Sequence, residues 1–168
     1  MLFRSMQHFF VNCKEEFKQL REPQHLSRIV YAFYLFKKSL KKRVEFSPEE
    51  RHTSFKLNRV RLHSPFGVKT VLGVFFGLTF LKRYEVFEER HFIKALQDLL
   101  PAGKVVRGSQ FSYLQKEEKV HVFYLELEKE DGEEFTADEI SSLRKKFPRS
   151  IENQVEKLMP SVFMPRNE

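Results

Sequence analysis

A run near the middle of the chain, Val68 to Leu81 (VKTVLGVFFGLTFL), constrains the fold more than any other stretch, because it is the most apolar and carries only one charge, Lys69. One parity reads Val68, Thr70, Leu72, Val74, Phe76, Leu78 and Phe80, and the other still holds Val71, Phe75 and Leu81. Both sides are mostly apolar. The run is too short for a bilayer-crossing helix, which needs ~20 apolar residues. Its β-branched and aromatic content predicts a sheet's central strand, buried on both faces. Gly73 and Gly77 share a parity around Phe75, which predicts a shallow face where a helix backbone can approach closely.

The surrounding sequence supplies the cover for such a strand. Apolar residues at Phe3, Met6, Phe10, Cys13, Phe17 and Leu20, with Phe9 beside them, draw one stripe along a helix over Leu2–Leu20. Pro23 breaks the pattern. A second helix follows over His25–Arg43, with Leu26, Ile29, Val30, Phe33, Phe36 or Lys37, and Leu40 inward, and the two form an antiparallel hairpin. Ser47-Pro48-Glu49-Glu50 offers at most a helical turn. The next strand, Ser54–His63, changes side from Phe55 and Leu57 to Val60 and Leu62, which predicts a bulge or a strand leaving the core. Ser64-Pro65-Phe66-Gly67 joins it to the central strand as a hairpin.

Tyr84–Leu100 reads as a helix with Tyr84, Phe87, His91 or Phe92, Ala95, Leu96, Leu99 and Leu100 inward. Two strands follow, Lys104–Leu114 and Lys119–Glu128. The second turns His121, Phe123, Leu125 and Leu127 to one face and leaves Glu126 and Glu128 outward. Asp131-Gly132 turns the chain. Thr136 and Glu139 form a capping box for a helix to Phe147, Pro148 interrupts it, and Ser150–Leu158 is a further short helix.

The order predicts an α+β fold: a mainly antiparallel sheet of about four strands with helices packed on one face, preceded by an N-terminal helical hairpin. The expected division is a hairpin over 1–45, an α+β sandwich over 46–160, and over 161–168 a tail or a join to a further segment. A length of 168 residues, 41% hydrophobic and 32% charged with 7 Pro and 6 Gly, suits a soluble globular protein of that size. With 19 Phe and no Trp, aromatic bulk without a polar handle should fill the core.

The single cysteine excludes an intrachain disulfide, and no long apolar segment follows the N-terminus, so the expected location is cytoplasmic with no membrane span. The first residues are basic and amphipathic, as in an organelle transit peptide, but Glu15 and Glu16 follow directly, against the acid-poor rule.

No phosphate-cradling glycine motif is present, and Glu88-Glu89-Arg90-His91 gives one Glu-x-x-His pair where a di-metal bundle requires two with further carboxylates. The six histidines are scattered, so no metal or cofactor is expected. Cys13 lies on an apolar stripe, as a structural thiol does. Nothing in the motifs recommends an enzyme.

What remains is recognition. Net charge is +7 over residues 1–60, +5 over 61–116 and −5 over 117–168. Lys37, Lys38, Lys41, Lys42 and Arg43, joined by Arg59, Arg61, His63 and Arg107, are candidates for a polyanion-binding surface, with Phe111 and Tyr113 for stacking to single-stranded nucleic acid. Cations at a helix C-terminus are also favoured by its dipole, by ~0.3–1 kcal/mol each. Val162, Phe163 and Met164, between two prolines, are candidates for contact with a partner. The expected function is a non-enzymatic interaction or regulatory module, on its own or as part of a larger protein, with a protein partner or self-association. The alternative is binding of RNA or another polyanion through the basic surface.

Overall fold

The computed structural model describes residues 2–79, 87–115 and 119–157. Phe80, Leu81, Tyr84 and the predicted partner contacts Val162, Phe163 and Met164 lie outside them. In order the chain forms helices α1 (Leu2–Asn12), α2 (Glu15–Gln19) and α3 (Pro23–Phe46), strands β1 (Thr53–Ser64) and β2 (Gly67–Thr79), and helix α4 (Glu89–Leu99). Strands β3 (Gly103–Val105), β4 (Phe111–Gln115) and β5 (Val120–Lys129) and helix α5 (Ala137–Lys157) complete it.

The sheet is antiparallel throughout, with β2 and β5 at its centre, β1 at one edge, and β3 and β4 successively along the other side of β5. This is the α+β class the sequence predicts, with five strands among the described residues. Helices cover both faces, however, where one was expected. Leu72, Val74, Phe76 and Leu78 of β2 with Phe123, Leu125 and Leu127 of β5 meet Phe92, Ala95 and Leu96 of α4 and Leu143, Phe147, Ile151 and Val155 of α5. On the opposite face Phe75 and Tyr124 meet Phe9, Cys13, Phe17, Leu26, Ile29 and Val30, and Val120 and Val122 meet Leu40. The apolar second parity of β2 needs cover, and the N-terminal helices supply it.

Four local expectations change for physical reasons. The N-terminal helix divides at Cys13-Lys14, where Lys14 is extended. Asn12 donates its side-chain amide to the His8 carbonyl at 2.7 Å, the kind of local bond that competes with a continuing helix. After the break, Phe9, Cys13 and Phe17 are buried, while Met6 and Phe10, expected inward, are exposed. In β1 there is no bulge: its register with β2 runs unbroken from Thr53 opposite Leu78 to Ser64 opposite Gly67. The change of side reflects two covers. Phe55 stacks on Phe147 with centroids 4.3 Å apart, and Val60 and Leu62 pack with Val71 on the other face.

The third change divides the strand predicted over Lys104–Leu114 into β3 and β4, because Val106–Gln110 leaves the ladder through a turn with Gly108 at φ 75°. The Ser109 hydroxyl replaces a ladder group there, accepting from the Glu126 N–H at 3.0 Å and donating to the Val106 carbonyl at 2.7 Å. Last, α5 runs through Pro148 instead of ending before it. A proline inside a helix costs about 3 kcal/mol. Leu143, Phe147, Ile151 and Val155 hold one buried stripe across it, at about 1.5–3 kcal/mol for each buried side chain, so burial prevails.

The glycine pair of β2 does admit close neighbours, but they are side chains. A Cβ on Gly77 would lie 2.7 Å from Leu40 Cδ1, and one on Gly73 would lie 3.1 Å from the Tyr124 hydroxyl.

Candidate functional site

The alternation of β4, set by Phe111 opposite Tyr124 and Tyr113 opposite Val122, turns both aromatic rings toward the N-terminal helices. There they meet α1 and α3 around a groove of about 250 Å³. Its walls are His8, Phe9 and Asn12 of α1, Phe33 and Lys37 of α3, Gln110 to Tyr113, and Val122 of β5. Lys37 Nζ donates to the Tyr113 hydroxyl at 3.3 Å and lies 4.5 Å from the centre of its ring. His8 meets the same ring edge-on at 5.0 Å, and Phe111 sits between Phe9 and Phe17 at 5.0 and 4.9 Å. Among the described residues the lining therefore holds an ammonium, an imidazole, two amides and the Tyr113 phenol among aromatic walls, and no carboxylate.

Of the residues singled out in the sequence, the fold brings together Lys37, Phe111 and Tyr113. Lys38 lies over Tyr34 at 5.9 Å, Lys41 is one turn beyond Lys37, and Lys42 and Arg43 border an open hollow with Ser39, Phe46 and His52. Arg43 also donates to the Thr53 carbonyl at 2.8 Å. Arg59 and Arg61 stand opposite Leu72 and Thr70, on the sheet face away from α3. Arg59 is bonded to Glu134 at 3.1 Å and to the Phe135 carbonyl at 2.9 Å, and His63 is 3.1 Å from Glu22. Arg107 is exposed in the connection between β3 and β4. The strand arginines and the α3 lysines thus do not share one concave surface.

A second polar cluster, which the sequence reading missed, is closed inside the protein. Arg21, at the corner between α2 and α3, grips the Glu126 carboxylate of β5 through Nε, at 2.9 and 3.1 Å, and through Nη2. Its Nη1 donates to the Phe17 carbonyl at 2.9 Å, and its guanidinium lies 3.6 Å over the Phe17 ring. Tyr124 donates to Glu126 Oε1 at 2.6 Å, and His25 Nε2 is 3.0 Å from the Tyr124 hydroxyl. Burial alone would raise the Glu126 pKa, but hydrogen bonds from Arg21, His25 and Tyr124 and the Arg21 charge hold it below the usual carboxylate range. Burial and the neighbouring carboxylate push the Tyr124 phenol well above its ordinary value. With Glu126 fully buried, the cluster ties the N-terminal helices to the sheet and turns no carboxylate oxygen outward. Leu125 and Leu127 face α4 and α5 as predicted, but Glu126, expected outward, lies under α2 and α3. Glu128 pairs with Lys69 and, at 3.5 Å, with Lys104.

Cys13 is buried, and burial pushes its thiol up to about 11. A maleimide at pH 8 is accordingly expected to leave the folded protein unlabelled and to label it once denatured, as mass spectrometry would read. Rapid native labelling would place the thiol in an accessible setting. Among the described residues no three His, Cys, Asp or Glu side chains converge as metal ligands, and no helix is long and apolar enough to cross a membrane.

The groove and the buried cluster must be understood from their own chemistry, because comparison with family models, curated proteins and solved structures finds no match to this chain.

Proposed function

We propose that this chain is a non-enzymatic recognition module that receives a protein partner in the groove between α1, α3 and β4. One observation carries the reading: the groove combines aromatic walls with a cation, an imidazole and two amides, the mixture of apolar anchor surface and orienting polar groups that binding sites use. The buried cluster is a poor alternative site, since its ion pair and hydrogen bonds are made among its own members. Random peptides selected against the full chain are expected to lose binding to a variant whose groove is filled from its exposed α1 wall, Asn12→Trp, while its thermal melt stays in place. Binders indifferent to that change would overturn the reading.

A second reading, single-stranded nucleic acid tracking the outer face of α3, is favoured by Lys38, Lys41, Lys42 and Arg43 over successive turns. In that case affinity for a uridine oligonucleotide falls steeply with salt, and Lys41→Ala with Lys42→Ala and Arg43→Ala flattens the slope. No binding at low salt would end it.

A further inference from the structure

Resting on the groove as the recognition site, we infer that its partner is an acidic peptide segment in which an aromatic side chain stands next to a carboxylate. The charge balance of the lining comes first. Lys37 contacts the Tyr113 hydroxyl and ring, and among the described residues no carboxylate lines the groove to neutralise it. An ammonium has three protons to donate, and one bond to a phenol leaves two for an incoming anion. His8 and the amides of Asn12 and Gln110 stand around the same opening. An acidic ligand meets an opposite charge there, and a basic one meets a like charge.

The apolar part of the ligand follows from the walls. Phe9, Phe33 and Val122 flank the space below Lys37, and about 250 Å³ is less than the ~300–1,000 Å³ that drug-sized ligands occupy, which suits one side chain and its flanking backbone. A nucleotide chain fits less well. Base stacking needs open ring faces, whereas Phe111 is already packed between Phe9 and Phe17, and Tyr113 lies under Lys37 and against His8. One ammonium inside the groove also matches one carboxylate better than a row of phosphates.

Three acetylated hexapeptides test this by titration against the isotope-labelled full chain: one with Phe flanked by Glu and Asp, one with Gln and Asn in their place, and one with Ala for Phe. The first is expected to shift the amides of Lys37 and Gln110 to Tyr113, and each of the others to bind about tenfold more weakly, as loss of one charge-assisted contact or one anchor implies. Lys37→Ala should weaken the acidic peptide about tenfold and leave the amide peptide unchanged, whereas Lys37→Arg should retain most of the preference. Equal affinity for acidic and amide peptides would overturn the ligand class while leaving the groove as a site. Uridine oligonucleotide displacing the acidic peptide from those same amides at lower concentration would overturn it in favour of nucleic acid. Failure of both these peptides and the selected ones to perturb the groove would remove the recognition site itself.

Discussion

Replacing Arg21 by Ala is expected to cost about 3–5 kcal/mol of folding stability, because it leaves the Glu126 carboxylate buried without its counter-charge. For a chain of this size that lowers the midpoint of thermal unfolding by roughly 6–20 °C. Glu126→Gln should do comparable harm by leaving the Arg21 guanidinium unpaired against Phe17. The pair itself is a different matter. Arg21→Met combined with Glu126→Leu removes both charges together and should recover most of the loss, since buried ion pairs exchanged for apolar groups of similar volume are often neutral in stability. Urea titration of the two single variants and the double variant measures this directly. A double variant as unstable as the sum of the singles would mean that the cluster does not act as a unit.

The acid dependence has a fixed sign. Burial raises the Glu126 pKa, but the bonds from Arg21, His25 and Tyr124 with the Arg21 charge outweigh it, so the folded value lies below the ordinary one. The stability this carboxylate contributes is therefore fully present above the ordinary carboxylate range and is lost as pH falls through the folded value. The gap between the wild-type protein and Arg21→Ala should narrow on acidification.

The second large effect concerns the two faces of β2. Phe76→Ala is expected to cost about 3–5 kcal/mol, since its ring is buried among Phe87, Phe92, Phe123 and Phe147 at centroid distances of 5.3–6.2 Å. Phe75→Ala, on the opposite face between Phe36 and Tyr124, should cost a comparable amount. Phe66→Ala, fully exposed at the β1–β2 turn, should change stability by no more than about 0.5 kcal/mol. Equilibrium unfolding of the three variants compares them. Were Phe75→Ala as mild as Phe66→Ala, the sheet would be covered on one side only.

The sheet was legible where periodicity and composition agree. The double-sided apolar content of Val68–Leu81 foretold a central strand, the sequence SPFG foretold the hairpin, and Thr136 with Glu139 foretold the start of α5, where both capping hydrogen bonds form. Part of the groove was legible as well, because Phe111 and Tyr113 share a strand parity and Lys37 lies on the inner side of its helix. That the three meet depends on the pairing of β4 with β5, which parity alone does not specify.

Glu126 was misread by treating β5 as a strand with one wet face. Its neighbour β2 is apolar on both parities, so the strand beside it is covered on both faces too, and a carboxylate there needs an internal cation. That inference was within reach. The choice of Arg21 was not, because it depends on the turn at the α2–α3 corner, where Arg21 bridges to Leu62 and the Leu20 carbonyl accepts from the His63 N–H.

The position of β5 has a consequence for how the chain reaches this state. It is the last of the described strands in chain order, yet it alone pairs with each of β2, β3 and β4. Until residues 120–129 emerge, at the ~5–20 residues per second of translation, the inner edge of β2 has no neighbour and Phe75 and Phe76 lack their partners Tyr124 and Phe123. Such non-local pairing slows folding and exposes strand edges meanwhile. Nascent chains stalled before β5 are the ones most exposed to edge-to-edge aggregation, and assembly of the sheet waits for residues 120–129.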